Sequence, residues 1–408
     1  MNDTRTALVI GGGIAGPVAA MALRKAGIQA TVYEAYRGTA DGVGGGLGIA
    51  PNGQNALAVL GADHVVRNIG MPVTAMVLQN STGRRIAEFP GPPGLPVMQF
   101  VWRPELYRAF YDEATARGIP IEHGKRLVGI DNTPDGVTAH FADGTSAGAD
   151  VLIGADGINS TTRSLIDRDA PRPRYTGLIS FGGRTDGMGL PSTGGKMHFV
   201  FGRRAFFGYL VDDDQSGGWF VNLPNAEPMT RAQADAVPAR EWLAVLRAAV
   251  AKDRSPALEL LSRTAPADLI VVGGMEDVPT VPTWRNGRVV LVGDAAHATS
   301  PSSGQGASQA IESAVQLARC LRDLPHEQAF AAYEVMRRAR VEKIIALAAK
   351  TNGDKAAGPV ARVFRDLAML AMTKLVKPET MARKLDWQFN YRIDWDAPVT
   401  GAPQSIAA

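Results

Sequence analysis

Gly11-Gly12-Gly13-Ile14-Ala15-Gly16 interrupts an apolar run, Ala7-Leu8-Val9-Ile10, and opens a segment of helical periodicity from Pro17 to Ala26 that Gly27 closes. A strand, a glycine turn and a helix in this order can hold a pyrophosphate. Gly11 permits the tight turn, Gly13 lets the backbone approach a phosphate with no Cβ in the way, and Gly16 lets the helix lie close to the strand. Unpaired N–H groups and the dipole at the helix start favour anions. A second apolar run, Ile28 to Tyr33, ends at Glu34, about 20 residues beyond the glycines, where a carboxylate accepts hydrogen bonds from ribose hydroxyls. The chemistry this spacing supports is binding of an adenine dinucleotide. A purely structural glycine turn would leave Glu34 unexplained.

Two further stretches place an aspartate at the end of a buried strand. Ala149 to Ser160, with Ile153-Gly154-Ala155-Asp156-Gly157 at its centre and Arg163 close behind, is one; Gly287 to His297, containing Leu291-Val292-Gly293-Asp294-Ala295, is the other. The carboxyl ends of core strands are where open α/β sheets bind ligands. Either aspartate alone reads equally as a helix cap or turn residue. Gly44 to Asn52 forms a second glycine-rich loop ahead of an apolar run through Leu60, and Arg103 precedes another helix as a phosphate contact or a surface arginine. After Asp294, Pro301-Ser302-Ser303-Gly304-Gln305-Gly306 leads into a helix whose Ala307, Ala310, Ile311, Ala314, Leu317 and Leu321 make one apolar stripe.

With these three motifs in this order, the chain from Thr6 to Leu347 resembles the aromatic-hydroxylase family of FAD-dependent flavoprotein monooxygenases, the para-hydroxybenzoate hydroxylase-like class A enzymes. The resemblance implies an α/β fold: a Rossmann-like FAD-binding domain with an inserted antiparallel-sheet substrate domain and C-terminal helices. It implies that Gly11, Gly13, Ala15 and Gly16, with Ile14 between them, line the FAD pyrophosphate and that Glu34 holds the ribose. Ala35, Arg37 and Gly46 are expected near the same cofactor, Arg103 toward its phosphates, and Leu127 at the adenine. Asp156 belongs to a motif associated with FAD and NAD(P)H. Asp294, after Gly293, binds the ribityl chain, and the loop holding Pro301, Gly304 and Gly306 faces the isoalloxazine ring. Positive potential at the helix start there would stabilise reduced, anionic flavin by roughly 1 kcal/mol. In such enzymes NAD(P)H reduces the flavin, dioxygen adds at C(4a) to give a hydroperoxide, and the substrate takes one oxygen atom in a site closed to water.

The elements that must position this chemistry divide the chain. The FAD-binding domain is expected over 1–70, 98–170 and 272–345, the substrate domain over 71–97 and 171–271, and a C-terminal helical segment over 346–408. Pro90 to Pro96 reads as a loop between lobes. Lys196 to Phe201, a turn at Gly202-Arg203-Arg204, Phe206 to Val211 and Gly218 to Leu223 read as antiparallel strands. Met197, Phe199 and Phe201 share one face, which either floors an aromatic pocket or packs on a helix such as Glu241 to Val250. His198 on the other face and His297 after the third motif read as satisfied structural residues, so no catalytic acid or base is assigned. His326 to Lys350, carrying Arg337, Arg338 and Arg340, and Arg362 to Leu385 read as packed helices with solvated basic faces.

Composition narrows the partners. The 408 residues can bury a core for two lobes, and 43 basic against 40 acidic side chains, spread evenly, give no footprint for nucleic acid. One cysteine, Cys320, excludes an internal disulfide and a thiolate metal cluster, which fits a cytoplasmic protein. No apolar run reaches the roughly 20 residues of a membrane span, and no metal site is expected. The expected partner is a small aromatic molecule, met by a monomer or homodimer. A single glycine fingerprint means that NAD(P)H binds transiently rather than in a domain of its own. Among flavoproteins of this fold, a halogenase would carry Trp-x-Trp-x-Ile-Pro, whereas Trp219-Phe220-Val221-Asn222-Leu223-Pro224 lacks the second tryptophan. An epoxidase, a Baeyer-Villiger oxygenase or an isoprenoid reductase would be told apart by product mass, and a flavin-bound sensor by absence of turnover.

Overall fold

The computed structural model describes residues 4–38, 44–355 and 385–400. The strand Thr6–Ile10 lies between Val151–Gly154 and Gln29–Glu34, both parallel to it, in a six-stranded sheet ordered Arg285–Asn286, Val289–Leu291, Val151–Gly154, Thr6–Ile10, Gln29–Glu34, Ile121–His123. Leu8, Val9, Leu152, Ile153, Val289 and Val290 are buried, as strands covered on both faces require. The parallel register brings Gly11, Glu34, Ala155 and Val292 out at one edge. One face packs on the helices Ala15–Lys25 and Gly306–Asp323, whose Val18, Leu23, Ile311 and Leu321 share a core with Val9 and Ile153. The other face is covered by an antiparallel meander of Leu127–Asn132, Val137–Phe141 and Ser146–Ala149, where Leu8 and Leu152 meet Ala139 and Phe141.

The first helix begins at Ala15, ahead of Pro17, because proline is tolerated in a first turn whose N–H groups have no intrahelical partner. Gly44 to Asn52 is not wholly loop. Gly46–Ile49 forms a strand antiparallel to Met98–Trp102, which also pairs with Met71–Val73. Gly46 is obligatory there, since a Cβ would lie 2.1 Å from Cζ of Phe100.

A second sheet has seven strands in the order Ile270–Asp277, Arg174–Arg184, Gly217–Pro224, Phe206–Val211, Lys196–Phe201, Ala75–Asn80, Arg85–Pro90. It is antiparallel except where Lys196–Phe201 runs parallel to Ala75–Asn80. Its faces differ. Val200, Phe207, Trp219 and Val221 pack on Trp242, Leu243 and Leu246 of the helix Ala239–Val250, each such buried side chain contributing about 1.5–3 kcal/mol. Met197, Phe199 and Phe201 project to the opposite side, so they do not pack on that helix. Met197 and Phe199 instead meet Phe100 and Trp102 of the strand Met98–Trp102, which pairs with Gly46–Ile49 and Met71–Val73.

The helix His326–Lys355 runs 30 residues. The expected solvated basic face is absent: Arg337 is fully buried against Glu312, Arg340 donates to Glu312 at 2.9 Å, and Arg338 pairs with Glu334 and Glu342. The physical reason is Glu312 itself. This carboxylate is buried on the neighbouring helix and requires compensating charge. The second basic stretch, Arg362 to Leu385, lies outside the described residues apart from Leu385.

Candidate functional site

At the common strand edge a cavity of about 330 Å³ is lined by Gly11, Gly13, Glu34, Ala35, Leu127 and Asp156 among others. Gly11 has φ +107°, and a Cβ there would lie 2.5 Å from the carbonyl oxygen of Ala155. At Gly16 a Cβ would lie 1.8 Å from the carbonyl oxygen of Gly11. Gly13 differs: nothing in the protein comes nearer to its Cβ position than the Tyr107 hydroxyl at 4.0 Å. The fold demands glycine at 11 and 16, whereas at 13 the open space suits an approaching ligand. Ile14 and Ala15 are buried at the start of the helix, and no side chain caps that terminus, so its N–H groups remain available to an anion.

Glu34 accepts hydrogen bonds from Gly12 N–H at 2.6 Å and Tyr36 N–H at 2.8 Å, which fix its carboxylate at the cavity wall with further lone pairs available. Leu127 is buried at the start of the meander and lines the same cavity. Arg37 is exposed between Tyr36 and Gly38, which line the cavity, and Gly46 packs on Phe100.

Asp156 is spoken for by its own turn. It accepts from Ser160 Oγ at 2.6 Å and from Thr162 N–H and Oγ1 at 2.9 and 3.0 Å, shaping the start of the helix Thr161–Ile166. Burial raises its pKa against these bonds. Arg163 then ties the second motif to the third, donating to the carbonyls of Ile158 and Ala295.

Tyr107 lines the same cavity; burial raises the pKa of its phenol, and the charges of Arg103, Asp294 and Glu34 act on it. The Nε of Arg103 is buried with no hydrogen-bond partner among the described residues. Burial also raises the pKa of Asp294, opposed by the charges of Arg103 and Arg163, and its carboxylate accepts no hydrogen bond from the described residues. Gly293, at φ +59°, turns the chain into the short helix Asp294–His297 with its Cβ position 3.1 Å from that of Ala15. A guanidinium nitrogen and a carboxylate without hydrogen-bond partners among the described residues, together with the open glycine, fit a molecule with phosphates in its middle and hydroxyl groups on both sides. Among the described residues no group of three side chains could hold a metal ion.

Beyond Asp294, Pro301–Ser303 forms a single 3-10 turn, Gly304 takes the left-handed conformation at φ +60°, and Gly306 begins the next helix, again without a side-chain cap. This turn meets the aromatic face of the second sheet. The Lys355 ammonium donates to Ser302 Oγ at 3.0 Å and to Asn222 Oδ1 at 2.8 Å, so one nitrogen spans the two. Around it Phe206 packs with Phe199, Phe201 and Phe220 at centroid distances of 5.0–6.0 Å. His297 lies elsewhere, buried against Ser313 and Trp284, its pKa pulled down to about 3 by burial and by Arg337. His198 stacks on Tyr209 on the far side of the sheet, in a separate groove of about 690 Å³. Sequence reasoning missed Tyr107 and Lys355. The first stands four residues after Arg103 and so shares its helix face, a signal that was available; the second carries no local signal.

The FAD binding domain family model matches residues 4–184 and 276–348, more than half of the chain. A urate hydroxylase, FAD-dependent, from Mycolicibacterium vanbaalenii is 31% identical over 361 residues, covering 84% of this chain and 87% of that protein. A 3-amino-4-hydroxybenzoate 2-monooxygenase from Streptomyces platensis is 33% identical over 364 residues, covering 84% and 86%. The crystal structure of Klebsiella pneumoniae HpxO complexed with FAD and uric acid superposes with a TM-score of 0.82 at 26% identity, covering 95% of this chain and 98% of that one. With the glycine turn, the two aspartate turns and the second sheet all in place, the chain belongs to the FAD-dependent aromatic-hydroxylase family of flavoprotein monooxygenases.

Proposed function

We propose that this protein is a single-component monooxygenase that takes two electrons from NADH or NADPH onto bound FAD and uses dioxygen to hydroxylate an aromatic or polyketide-like small molecule. One oxygen atom goes to the substrate and the other leaves as water. Bound FAD supplies the redox chemistry and the activation of dioxygen. The protein's own groups bind and orient. In this reading Gly11, Gly13, Ile14, Ala15 and Gly16 receive the pyrophosphate, Glu34 the ribose, Leu127 and Ala35 the adenosine end, and Arg103 the phosphates. Asp294 holds the ribityl hydroxyls, and Pro301, Gly304 and Gly306 border the ring. Asp156 contributes through the turn it fixes.

The observation that carries the proposal is the apposition of the Pro301–Ser303 turn to a sheet face of phenylalanines, bridged by Lys355 between Ser302 and Asn222. An apolar, aromatic wall at that point suits a planar ring and excludes water. The named relatives act on urate and on 3-amino-4-hydroxybenzoate, both planar rings. We draw the division into a discontinuous cofactor lobe and an inserted substrate lobe along these two sheets, which moves the expected boundary at 272 past the strand Ile270–Asp277 of the second. No helix among the described residues is long and apolar enough to cross a membrane, and we place the reaction in the cytoplasm.

The test is consumption of NADH and NADPH by the FAD-loaded protein with and without a panel of phenols and polycyclic quinols, tracking substrate mass. Accelerated consumption with a product heavier by one oxygen atom supports the proposal. Purified protein that neither holds flavin nor turns over overturns it.

A further inference from the structure

We propose that Lys355 is the substrate-facing base of this site, holding an acidic hydroxyl on an aromatic substrate and accepting its proton between Asn222, Ser302 and the Phe206–Phe220 pair. The inference deepens the monooxygenase reading and rests on it. Lys355, the last described residue of the helix His326–Lys355, reaches both the Pro301–Ser303 turn and the second sheet. Its Nζ lies 4.2 Å from the ring centroid of Phe206 and 5.9 Å from that of Phe220. No carboxylate of the described residues forms an ion pair with it, and its two polar partners are a neutral amide and a hydroxyl. Asn222 donates its own amide to Ser180 Oγ at 3.0 Å, which turns the amide oxygen toward the lysine.

The hydrogen-bond inventory sets the role. A neutral amine has two N–H donors and one lone pair. Among the described residues both donors are met by Asn222 and Ser302, which leaves the lone pair for a ligand. Burial pulls the pKa of Lys355 down to about 7, so the neutral form is well populated near neutral pH. In the step, the substrate O–H bond breaks and an N–H bond forms on Nζ. The electron pair stays on the substrate oxygen and delocalises into the ring, enriching the carbons ortho and para to it for attack on an electrophilic oxygen. The new ammonium is stabilised by the Phe206 face and retains the anion through a charge-assisted hydrogen bond. An aromatic ring carrying an acidic hydroxyl is therefore selected over the corresponding ether.

The FAD-loaded protein is titrated with 2-naphthol and with 2-methoxynaphthalene, following flavin absorbance for binding and the naphtholate band for ionisation. Wild type is expected to bind 2-naphthol as the naphtholate. Lys355→Met should bind it about tenfold to a hundredfold more weakly and without that band, while 2-methoxynaphthalene binds both proteins alike. Lys355→Arg should restore affinity through charge, and Lys355→Gln replaces the methionine variant if that one fails to hold FAD. Equal 2-naphthol affinity in wild type and in the methionine or glutamine variant, or neutral bound naphthol in wild type, overturns the proposal. So does an FAD-loaded wild type that binds neither 2-naphthol nor any phenol of a one- to three-ring set. Loss of FAD from wild type is a different result, which sinks the monooxygenase reading instead.

Discussion

Alanine placed at Gly13 and at Gly16 should act on different properties, because the space around the two glycines differs. At Gly16 the added methyl would sit 1.8 Å from the Gly11 carbonyl oxygen, so that backbone must retreat by more than an ångström within the central turn of the sheet. The expected cost is about 3 kcal/mol, at the upper end of over-packing. At Gly13 the methyl meets nothing within the chain closer than 4.0 Å, and the residue is not in the left-handed region. Alanine there should leave the apoprotein unharmed or stabilise it by about 0.4–1 kcal/mol through its stiffer unfolded chain. FAD should pay for the methyl instead. Pushing a phosphate off the helix N–H groups forfeits a charge-assisted hydrogen bond, about 1.5–3 kcal/mol, or a tenfold to hundredfold rise in Kd. Urea unfolding of the two apoproteins and FAD titration by fluorescence quenching measure both quantities. Equal destabilisation by the two substitutions, or unchanged FAD affinity in Gly13→Ala, would refute the assignment of the open space to the pyrophosphate.

Three other substitutions separate roles that the geometry assigns. Asp294→Ala should lower flavin content and slow flavin reduction by NAD(P)H; unchanged values in absorbance and stopped-flow assays count against the placement of the ribityl chain. Glu312→Gln removes the charge between Arg337 and Arg340 and leaves a fully buried guanidinium uncompensated, so stability should fall by about 3–5 kcal/mol in chemical unfolding; a loss under about 1 kcal/mol would show that the network is not under charge balance. His297 is held neutral, its folded pKa of about 3 lying below an unfolded value near 6.5. The unfolded chain therefore takes up a proton first, and this contribution to stability is complete above about pH 6.5 and declines by up to about 1.4 kcal/mol per unit as pH falls toward 3. His297→Gln should remove roughly 2 kcal/mol of the difference between pH 6.5 and 5, and an unaltered pH slope would contradict it.

What the sequence made legible is what local spacing encodes. The strand, glycine turn and helix at the N-terminus, and the acid at Glu34, form a contiguous unit whose geometry follows from steric limits on a few dihedrals. The two aspartates looked alike in sequence and are not alike in space: Asp156 is saturated by Ser160 and Thr162, while Asp294 accepts nothing from the described residues, the hydroxyl of Ser300 six positions on being turned to Asn352. Met197, Phe199 and Phe201 showed a period of two but not which layer they would meet. That depended on Phe100 and Trp102, about a hundred positions away in the chain. Arg337 looked solvated because its partner sits on another helix.

Lys355 is the extreme case, since its partners Asn222 and Ser302 lie 133 and 53 residues away. Its position is nevertheless firmly determined. The same helix is pinned near its start, where the Tyr333 hydroxyl donates to the Leu291 carbonyl beneath the first sheet and Arg337 engages Glu312. It is pinned again near its end, where Ser300 Oγ donates to Asn352 Oδ1 at 3.0 Å. From Tyr333 to Lys355 the helix spans about 33 Å at 1.5 Å per residue, long enough to reach from the cofactor sheet to the aromatic face of the substrate sheet. One helix thus joins the packing beneath the first sheet to the Pro301–Ser303 turn and the aromatic face of the second. If Lys355 acts as proposed, substitutions at Asn352 or Ser300 should shift the affinity for 2-naphthol while leaving FAD affinity, proposed to rest on the glycine turn, unchanged.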